Sequence, residues 1–498
     1  MSHSRTFKAA ILASGEFLST LVNLASFAVL SRVLTMGDYA TYRQAILAFF
    51  FAVPILTLGL PQAMYYFLPG EQKRPRAVLL ENMIPLTLMA VLFSAFLLFG
   101  GGRLLAMRFS NPGLERMLLL FAPYPLLILP AAGLAACLMA RDRARQVAIY
   151  NVASRLVTGL LVIAAAILWR NPEGPIRANV LAAAVILVPA IWLMLRATRG
   201  GERSAPTLGG MWEQSKFAVP LGLAAVLGTV SASLDKVIVA SMCSRQDFAI
   251  YSNGAMEIPL IGVVTGSITA VLLPDIARLR KEGRSAEALE LWKRGAAKSA
   301  VLILPVMCLL FCMAPEVMSV LFSSRYLASA LPFRLYLLLL PIRVVTFAVM
   351  LLAANKGNLL LIRAAGDLVV NLLLSVVFVR FWGYIGAAIA GIITMYLWTV
   401  PFSIMAIARH YGTRPVLVMP LNRLWPVLAA SILACIACIP VWLFPGLGVI
   451  ARVIIATLSY VPCAICILLA FRCIDLADLR RALTQVITAA PGRRHLGM

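Results

Sequence analysis

Ionisable side chains lie inside long apolar stretches of this sequence, where they could bind an anion or carry a proton. Asp235 and Lys236 are neighbours in a stretch, residues 217–242, that holds no other charged residue. A charged side chain within a membrane helix costs about 2.5–3.5 kcal/mol on insertion scales, so it usually faces a partner or a watery cavity. Gly228, Ser231 and Asp235 are spaced by three and four residues and share one helical face. We expect Asp235 to face a cavity, with Lys236 about 100° further around the helix.

A second polar stripe lies near the N-terminus. Glu16, Ser19, Asn23 and Ser26 are spaced by three, four and three residues, which again places them on one helical face. Ser26 precedes Asp235 by 209 residues. The two stripes are predicted to face one cleft between two halves of the protein. In the alternative interpretation, Asp235 and Lys236 form pairs with other buried side chains and only fix the packing of helices.

Four of the arginines within or at the end of apolar stretches are candidates for such a site. Arg155 and Arg343 have no acid within four residues, so they need an anionic ligand or an acid from another helix. Arg363 and Asp367 are four residues apart and can form an ion pair, which favours a structural role. Arg32 lies at the end of the first stretch. A guanidinium stays charged and binds diphosphate oxygens through paired hydrogen bonds. The alternative for each arginine is an interhelical salt bridge or a side chain that reaches the membrane surface.

The surrounding sequence is typical of an integral membrane protein. Of its 498 residues 62% are hydrophobic and 13% are charged, and the mean hydropathy is +0.92, whereas about 25% of a soluble domain is charged. Runs of about 20 apolar residues are long enough to cross a bilayer as helices. The sequence predicts an all-α membrane fold with fourteen such spans: 7–30, 44–68, 82–101, 117–139, 147–169, 178–196, 216–242, 248–274, 298–323, 330–352, 357–379, 382–408, 424–444 and 447–471.

The net charge of +24 reflects orientation in the membrane rather than nucleic-acid binding. Lysine and arginine concentrate in alternate connections between the spans, and this positive-inside pattern predicts that both termini are cytoplasmic. The basic segments are expected to contact anionic membrane lipids, and nucleic acid is not expected as a partner. The first apolar run is long enough to span and no cleavage site comes after it, so it is expected to remain as the first helix.

An internal repeat divides the chain. The stretch "DYATYRQA" (38–45) and the stretch "DFAIYSNG" (247–254) align at a constant offset of 209 residues, and each is predicted to form the loop after an equivalent span. Two repeats of six spans in the same orientation predict two lobes related by an axis along the membrane normal, with a central cavity. The predicted divisions are an N-terminal lobe (1–198), a cytoplasmic linker (199–215), a C-terminal lobe (216–410), helices thirteen and fourteen (411–472) and a cytoplasmic tail (473–498).

The sequence favours neither a metal site nor an enzyme. Two CxxC pairs, at 435–438 and 463–466, lie inside apolar spans, where small residues three apart usually pack helices together. The three histidines lie in terminal or loop positions without metal-ligand spacing, and no P-loop or GxSxG element occurs. We therefore predict no metal, no bound cofactor and no catalysis. Two repeated lobes around a central cavity are the plan of a secondary transporter. Without a nucleotide site, transport would use the substrate gradient or a proton or sodium gradient, with Glu16, Asp235, Glu257 and Asp367 as candidate ion-coupling residues.

Three stretches resemble polysaccharide flippases of the Wzx type. "LSRVLTMGDYATYRQA" is similar to their first loop and the end of the helix before it, "SASLDKVIVASMCSRQDFAIYSNG" to their seventh helix and its loop, and "NLLLSVVFVRFWGYIGAAIAG" to their junction of helices eleven and twelve. The superfamily also contains multidrug and toxin extruders and lipid II flippases. The resemblance implies a multi-pass protein of the bacterial plasma membrane. It would move a glycan linked to polyprenyl diphosphate to the outer leaflet by alternating access.

The resemblance gives the charged residues an expected role. Such a substrate needs a cationic cleft, with Arg155, Arg343 and Lys236 as the main anion-binding groups and with Arg363, Arg32 and Asn23 as further substrate-binding candidates. The glycan could belong to an O-antigen, a capsule or an exopolysaccharide, and a polysaccharide polymerase or glycosyltransferases would be partners. Two alternatives remain open at this point: an organic-cation antiporter of the same superfamily, whose cleft should be acidic, and a lipid II flippase for peptidoglycan.

Overall fold

Long apolar helices form the whole fold of the described chain. The structure, a computed structural model, describes residues 2–202, 204–256, 258–443 and 446–474, and none of these forms a β-strand. Eleven helical segments in this part of the chain are long and apolar enough to cross a membrane, and shorter apolar helices accompany them. Each of the fourteen predicted spans coincides with one or more helices. The prediction of an all-α membrane protein is confirmed.

The first half of the chain contains ten helices. They are α1 (Ser2–Val33), α2 (Met36–Thr57), α3 (Leu60–Phe67), α4 (Pro75–Phe96), α5 (Gly102–Arg108), α6 (Pro112–Phe121), α7 (Pro123–Ile128), α8 (Leu134–Ala140), α9 (Ala144–Trp169) and α10 (Glu173–Ala197). Proline begins α4, α6 and α7, at a position where its missing N–H would have no helical partner.

The described part of the second half contains fourteen α-helices. They are α11 (Leu208–Met242), α12 (Arg245–Gly254), α13 (Pro259–Lys281), α14 (Ser285–Cys312), α15 (Ala314–Phe322), α16 (Ala330–Leu337), α17 (Leu340–Arg343), α18 (Phe347–Ala353), α19 (Gly357–Trp382), α20 (Tyr384–Thr394), α21 (Val400–Tyr411), α22 (Leu421–Ala434), α23 (Ile439–Leu443) and α24 (Val449–Ala470).

The chain groups into two compact units. The first unit consists of Met1–Val263, Leu321–Pro332 and Leu361–Trp398. The second unit consists of the remaining segments, Val264–Val320, Phe333–Leu360 and Thr399–Met498. The boundaries of these units differ from those of the six-span lobes, and the division into lobes remains a prediction from the sequence.

The two repeat stretches are helices rather than the predicted loops. Thr35 begins α2: its hydroxyl accepts a hydrogen bond from the backbone N–H of Asp38 (3.1 Å) and donates to the Asp38 carboxylate (2.7 Å). Ser244 begins α12 with the same pair of bonds to Asp247, at 3.1 and 2.6 Å. These caps satisfy backbone donors that the first helical turn leaves open. Both caps obey the offset of 209, so the two copies share their local structure.

The predicted linker contains the beginning of α11. Thr207 caps this helix, because its hydroxyl accepts from the backbone N–H of Gly210 (3.0 Å) and donates to the Glu81 carboxylate on α4 (3.0 Å). Gln214 is buried and accepts a hydrogen bond from the Asn82 amide (2.9 Å). Residues 208–215 of the predicted linker therefore belong to a helix that packs against α4.

Removal of the Thr207 hydroxyl should destabilise the first unit. For Thr207→Ala we expect a loss of about 1 kcal/mol in the free energy of unfolding, because a backbone N–H and the buried Glu81 both lose a partner. Denaturant unfolding in detergent would measure this loss. Thr207→Ser keeps the hydroxyl and serves as the control; equal stability of the two variants would contradict the role of the cap.

The stretch 283–298 has one apolar face that packs against other residues of the second unit. It forms the first half of α14, with Trp292 fully buried. The Trp292 indole N–H donates to the carbonyl oxygen of Thr346 (3.3 Å), and its ring lies 5.9 Å from that of Phe347. The apolar face of this part of α14 therefore contacts protein within the second unit.

Of the two CxxC pairs, Cys435 and Cys438 contribute to helix packing, as predicted, whereas Cys466 is exposed. Cys435 Sγ lies 3.8 Å from the Cys308 carbonyl oxygen on α14. On α24, the Tyr460 hydroxyl donates to the carbonyl oxygen of Ser431 (3.0 Å). The cysteines in the described chain are free thiols, and the described residues contain no group of three side chains that could hold a metal ion.

Candidate functional site

A polar cavity of about 650 Å³ lies among the helices of the first unit. Its wall comes from helices α1, α2, α7, α9 and α10 and from residues just after α7. Phenylalanine and aliphatic side chains form the apolar part of the wall. The polar part consists of Ser19, Thr20, Asn23, Ser26, Tyr42, Tyr124, Tyr150, Asn151, Ser154, Arg155, Thr158 and Asn179.

Arg155 is the one charged residue in the described wall of this cavity. It lies near the middle of α9, and its side chain is exposed to the cavity space. Among the described residues, none forms a hydrogen bond or an ion pair with its guanidinium. A charge without a protein partner at the middle of a membrane helix requires water or an anionic ligand. Arg155 therefore makes this cavity suitable for an anion.

Close packing of α1 on α9 places the first polar stripe in the same cavity. A Cβ atom at Gly159 would lie 2.5 Å from Cγ1 of Val22, so a side chain there would push the two helices apart. Ser19 and Asn23 on α1 thus line the cavity together with Arg155, which stands one turn before Gly159 on α9. Ser19, Asn23 and Ser26 thus share one face of α1, as their spacing predicts, but the cavity that they line is formed by helices of the first half of the chain rather than by a cleft between two halves.

The hydroxyl groups of the wall are oriented by their own helices. Ser26 Oγ donates to the Val22 carbonyl oxygen (2.9 Å) and Thr158 Oγ1 donates to that of Ser154 (2.9 Å). A hydroxyl that donates to the backbone still has lone pairs that can accept from a ligand. The Asn179 amide donates to the Tyr42 hydroxyl at 3.1 Å. The wall therefore offers oxygen acceptors in fixed positions.

Two amide side chains supply donors. Asn23 and Asn151 line the cavity, and no other described residue forms a hydrogen bond with either side chain. Each amide can donate two hydrogen bonds and accept two. Together with the aromatic rings of Tyr42, Tyr124 and Tyr150, this mixture suits a ligand with many hydroxyl groups and apolar ring faces.

Asp235 and Lys236 lie outside this wall. Asp235 is 5% exposed, and its carboxylate accepts a hydrogen bond from the Tyr251 hydroxyl at 2.6 Å. Lys236 is half-buried. Tyr251 and Asp235 correspond to Tyr42 and Ser26 at the offset of 209, so the first copy lines an open cavity where the second has a buried Asp–Tyr pair. Asp235 therefore does not face the cavity that the α1 stripe lines, in contrast to the expectation. It makes a buried contact instead, in which the Tyr251 hydroxyl takes the place of water at the Asp235 carboxylate.

The remaining arginines have local partners. Arg363 Nε lies 3.7 Å from the Asp367 carboxylate, as the spacing of four residues predicts. Arg32 donates to the carbonyl oxygens of Ala28 (3.0 Å) and Leu321 (2.7 Å), at the end of α1. Both arginines stabilise helices in the first unit and neither lines the cavity, which leaves Asn23 and Arg155 as the substrate-binding candidates that the structure brings together.

Among the other predicted site residues, Arg343 lies apart from the cavity wall. Arg343 ends α17 in the second unit and is half-buried. The side chain of Glu16 and the residue Glu257 lie outside the described part of the structure. Their predicted roles remain predictions.

Several cavity residues were missed at the sequence level. On α9, Asn151, Ser154, Arg155 and Thr158 are spaced by three, one and three residues, so they form a polar stripe like that of α1. This spacing could have identified the whole face rather than Arg155 alone. Tyrosines and single asparagines on apolar helices carry no such signal, and their position in the cavity became visible only in the fold.

Comparison of the fold with solved structures identifies related architectures. The lipid II flippase MurJ in an inward closed conformation is 14% identical; the alignment covers 94% of this chain and 99% of that chain, with a TM-score of 0.75. A MOP superfamily transporter from Pyrococcus furiosus is 14% identical; the alignment covers 81% of this chain and 96% of that chain, with a TM-score of 0.58. An outward-facing multidrug resistance MATE family transporter of the MOP superfamily is 15% identical; the alignment covers 82% of this chain and 97% of that chain, with a TM-score of 0.55. At these identities the similarity shows the fold alone.

Sequence comparison identifies the family. No curated protein has a significant match to the sequence. The family model described as "Polysaccharide biosynthesis protein" matches residues 29–331, which is more than half of the chain and includes most of the cavity wall. The resemblance found in the sequence is therefore confirmed: the chain belongs to the polysaccharide biosynthesis protein family, and it has the fold of the multidrug, lipid-oligosaccharide and polysaccharide exporter superfamily.

Proposed function

We propose that the protein is a secondary transporter that flips a polyprenyl-diphosphate-linked oligosaccharide across the bacterial plasma membrane. The observation that carries this proposal is the cavity around Arg155. It combines one cation with neutral amides, hydroxyls and aromatic rings, in a family described by polysaccharide biosynthesis. The glycan would serve an O-antigen, a capsule or an exopolysaccharide.

The chemistry of the cavity matches the polar part of such a substrate. Sugar hydroxyls both donate and accept, and the Asn23 and Asn151 amides and the oriented hydroxyls of the wall complement them. The Arg155 guanidinium complements a phosphate group through paired hydrogen bonds and stays protonated. The substrate's head group would thus cross the membrane centre with its polar atoms satisfied.

The same cavity disfavours the organic-cation alternative. An antiporter for organic cations needs a carboxylate or another source of negative potential where its substrate binds. The described wall contains a guanidinium instead, which would repel a cation in a region of low dielectric constant. We place the coupling step, with a proton or sodium ion, on acids elsewhere in the chain, among which Asp235 and Asp367 are described.

The proposal includes an orientation and partners. Both termini are cytoplasmic, as the distribution of lysine and arginine favours. A glycosyltransferase system would deliver the lipid-linked glycan at the cytoplasmic leaflet, and a polysaccharide polymerase would use it at the outer leaflet. No catalytic step belongs to the transporter itself.

Reconstitution tests the proposed function. Proteoliposomes containing the purified protein should translocate a polyprenyl-diphosphate oligosaccharide, measured as its accessibility to an enzyme or reagent added outside. Lipid II and an organic cation would be tested in parallel. Export of the organic cation without movement of either lipid would contradict the proposal. Movement of lipid II alone would show that lipid II, rather than the oligosaccharide, is the substrate.

A further inference from the structure

An apolar groove lies on the other side of the wall that bounds the polar cavity. It has a volume of about 290 Å³ and lies between α9 and α10. Its lining from α9 forms a helical stripe from Gln146 to Val157, and its lining from α10 runs from Val185 to Leu193. The lining surface exposes carbon atoms only. Exposed side chains such as Ile149 (59%) border it.

Groove and cavity share their separating wall. Tyr150, Ser154 and Ile186 line both spaces. The Tyr150 hydroxyl donates to the Ile186 carbonyl oxygen at 3.2 Å and so bridges α9 and α10 at this wall. Arg155 comes directly after Ser154 and faces the cavity side. A ligand that occupied both spaces would therefore be apolar on one side of Tyr150 and polar on the other.

One end of the groove is cationic. Arg145 precedes the first groove residue of α9, and Arg196 lies one turn beyond Leu193, the last groove residue of α10. Arg145 is exposed. Arg196 lies 5.1 Å from the ring centre of Trp192, an exposed aromatic residue of the kind found at membrane interfaces. No described acid pairs with either arginine, so this end carries positive charge that complements a diphosphate.

We infer that the groove between α9 and α10 holds the isoprenoid chain of the lipid carrier while the glycan occupies the polar cavity. This inference rests on the proposed function and adds the place where the tail enters. Arg145 and Arg196 attract the diphosphate at the membrane surface, the apolar groove takes the first isoprene units, and Arg155 receives the anionic group beyond Tyr150. The tail thus remains in contact with the bilayer throughout.

A photo-crosslinking experiment tests the position of the tail. The full-length protein, in nanodiscs containing polyprenyl diphosphate, would carry a photoreactive phenylalanine analogue at Ile149 in the groove. The same analogue at Leu160, an exposed residue of α9 outside the groove, is the matched control. We expect crosslinks to the isoprenoid at position 149 at least about tenfold above those at position 160. Equal crosslinking at the two positions would overturn the inference.

A second experiment fills the groove with a larger side chain. Ala153 lines the groove and is exposed, so phenylalanine at this position would occupy the groove without entering the protein core. We expect Ala153→Phe to weaken crosslinking at position 149 about tenfold, the effect of excluding roughly two methylene groups from an apolar site. Leu160→Phe should leave crosslinking unchanged. Undiminished crosslinking in Ala153→Phe with normal folding would count against the groove.

Failure of this inference and failure of the proposed function have different signatures. If the wild type flips the lipid-linked oligosaccharide and Ala153→Phe flips it equally fast, the groove inference is wrong and the function stands. If the wild type crosslinks the isoprenoid at position 149 but flips nothing, the groove is supported and the proposed function is wrong. Polyprenyl alcohol, which lacks the diphosphate, should crosslink more weakly than polyprenyl diphosphate; equal crosslinking would mean that Arg145 and Arg196 do not attract the diphosphate.

Discussion

Arg155→Ala should reduce translocation of a polyprenyl-diphosphate oligosaccharide about a hundredfold at limiting substrate concentration. A paired guanidinium–phosphate contact shielded from water contributes about 3 kcal/mol, which corresponds to this factor. Arg155 is the charged residue of the described cavity wall, so no neighbour in that wall can replace it. Initial rates in proteoliposomes at matched protein content would measure the effect.

Stability separates a binding role from a structural one. Arg155 forms no hydrogen bond or ion pair with another described residue, so its removal leaves no described group without a partner, and the free energy of unfolding should stay close to that of the wild type. Arg155→Lys keeps the charge but not the two parallel donors and should retain about a tenth of the rate. Arg177→Ala removes an exposed arginine of α10 that pairs with Glu173 at 3.1 Å and is the control. If Arg155→Ala transports normally but unfolds early, the arginine is structural.

Gly222→Ala should destabilise the first unit by about 3 kcal/mol or more. A Cβ atom at this position of α11 would lie 2.1 Å from the backbone carbonyl carbon of Leu58. The obstacle is backbone, which cannot rotate away as a side chain can, so the helices must separate and lose packing. Leu58 and Gly59 both have positive φ values (41° and 78°), and they form the break between α2 and α3. The close approach therefore depends on this break.

Gly228 provides the matched control on the same helix. A Cβ atom at Gly228 would meet no heavy atom within 4 Å. Gly228→Ala also replaces a flexible residue inside a helix, which favours folding by about 0.5–1 kcal/mol. Thermal unfolding in detergent should therefore show a lower midpoint for Gly222→Ala and an unchanged or higher one for Gly228→Ala. Similar midpoints would mean that α11 does not pack on the α2–α3 break as the structure shows.

The sequence predicted those features that depend on local patterns. Long apolar runs located the spans, because a helix that crosses a bilayer must be apolar over about 20 residues. The spacing of Ser19, Asn23 and Ser26 predicted a polar face, and that face lines the cavity. The pairing of Arg363 with Asp367 was expected from a separation of four residues.

Helix beginnings were predicted less well, although their signals are in the sequence. Thr35 and Ser244 each precede an aspartate by three residues, which is the pattern of a helix cap, yet hydropathy alone assigned the segments after them to loops. Thr207 is a similar case: α11 begins in a segment rich in glycine and serine, since Glu81 of another helix supports its cap.

The residues that line the cavity could be identified only from the fold. Whether Asp235 faces water or a tyrosine depends on where α12 places Tyr251, and the separation of these residues by 16 positions gives no local signal. Tyr42, Tyr124 and Asn179 come from three different helices and meet only through their packing. Pairwise spacing within one helix identifies a face, whereas a cavity depends on several faces at once.

The central claim is that the polar cavity of the first unit binds the head group of a lipid-linked oligosaccharide. An experimental structure of the protein with a bound polyprenyl-diphosphate oligosaccharide tests it most directly. We predict density for sugar residues among Asn23, Asn151 and Asn179, with an anionic group within hydrogen-bonding distance of the Arg155 guanidinium. Density for the glycan elsewhere in the protein, with this cavity empty, would contradict the account.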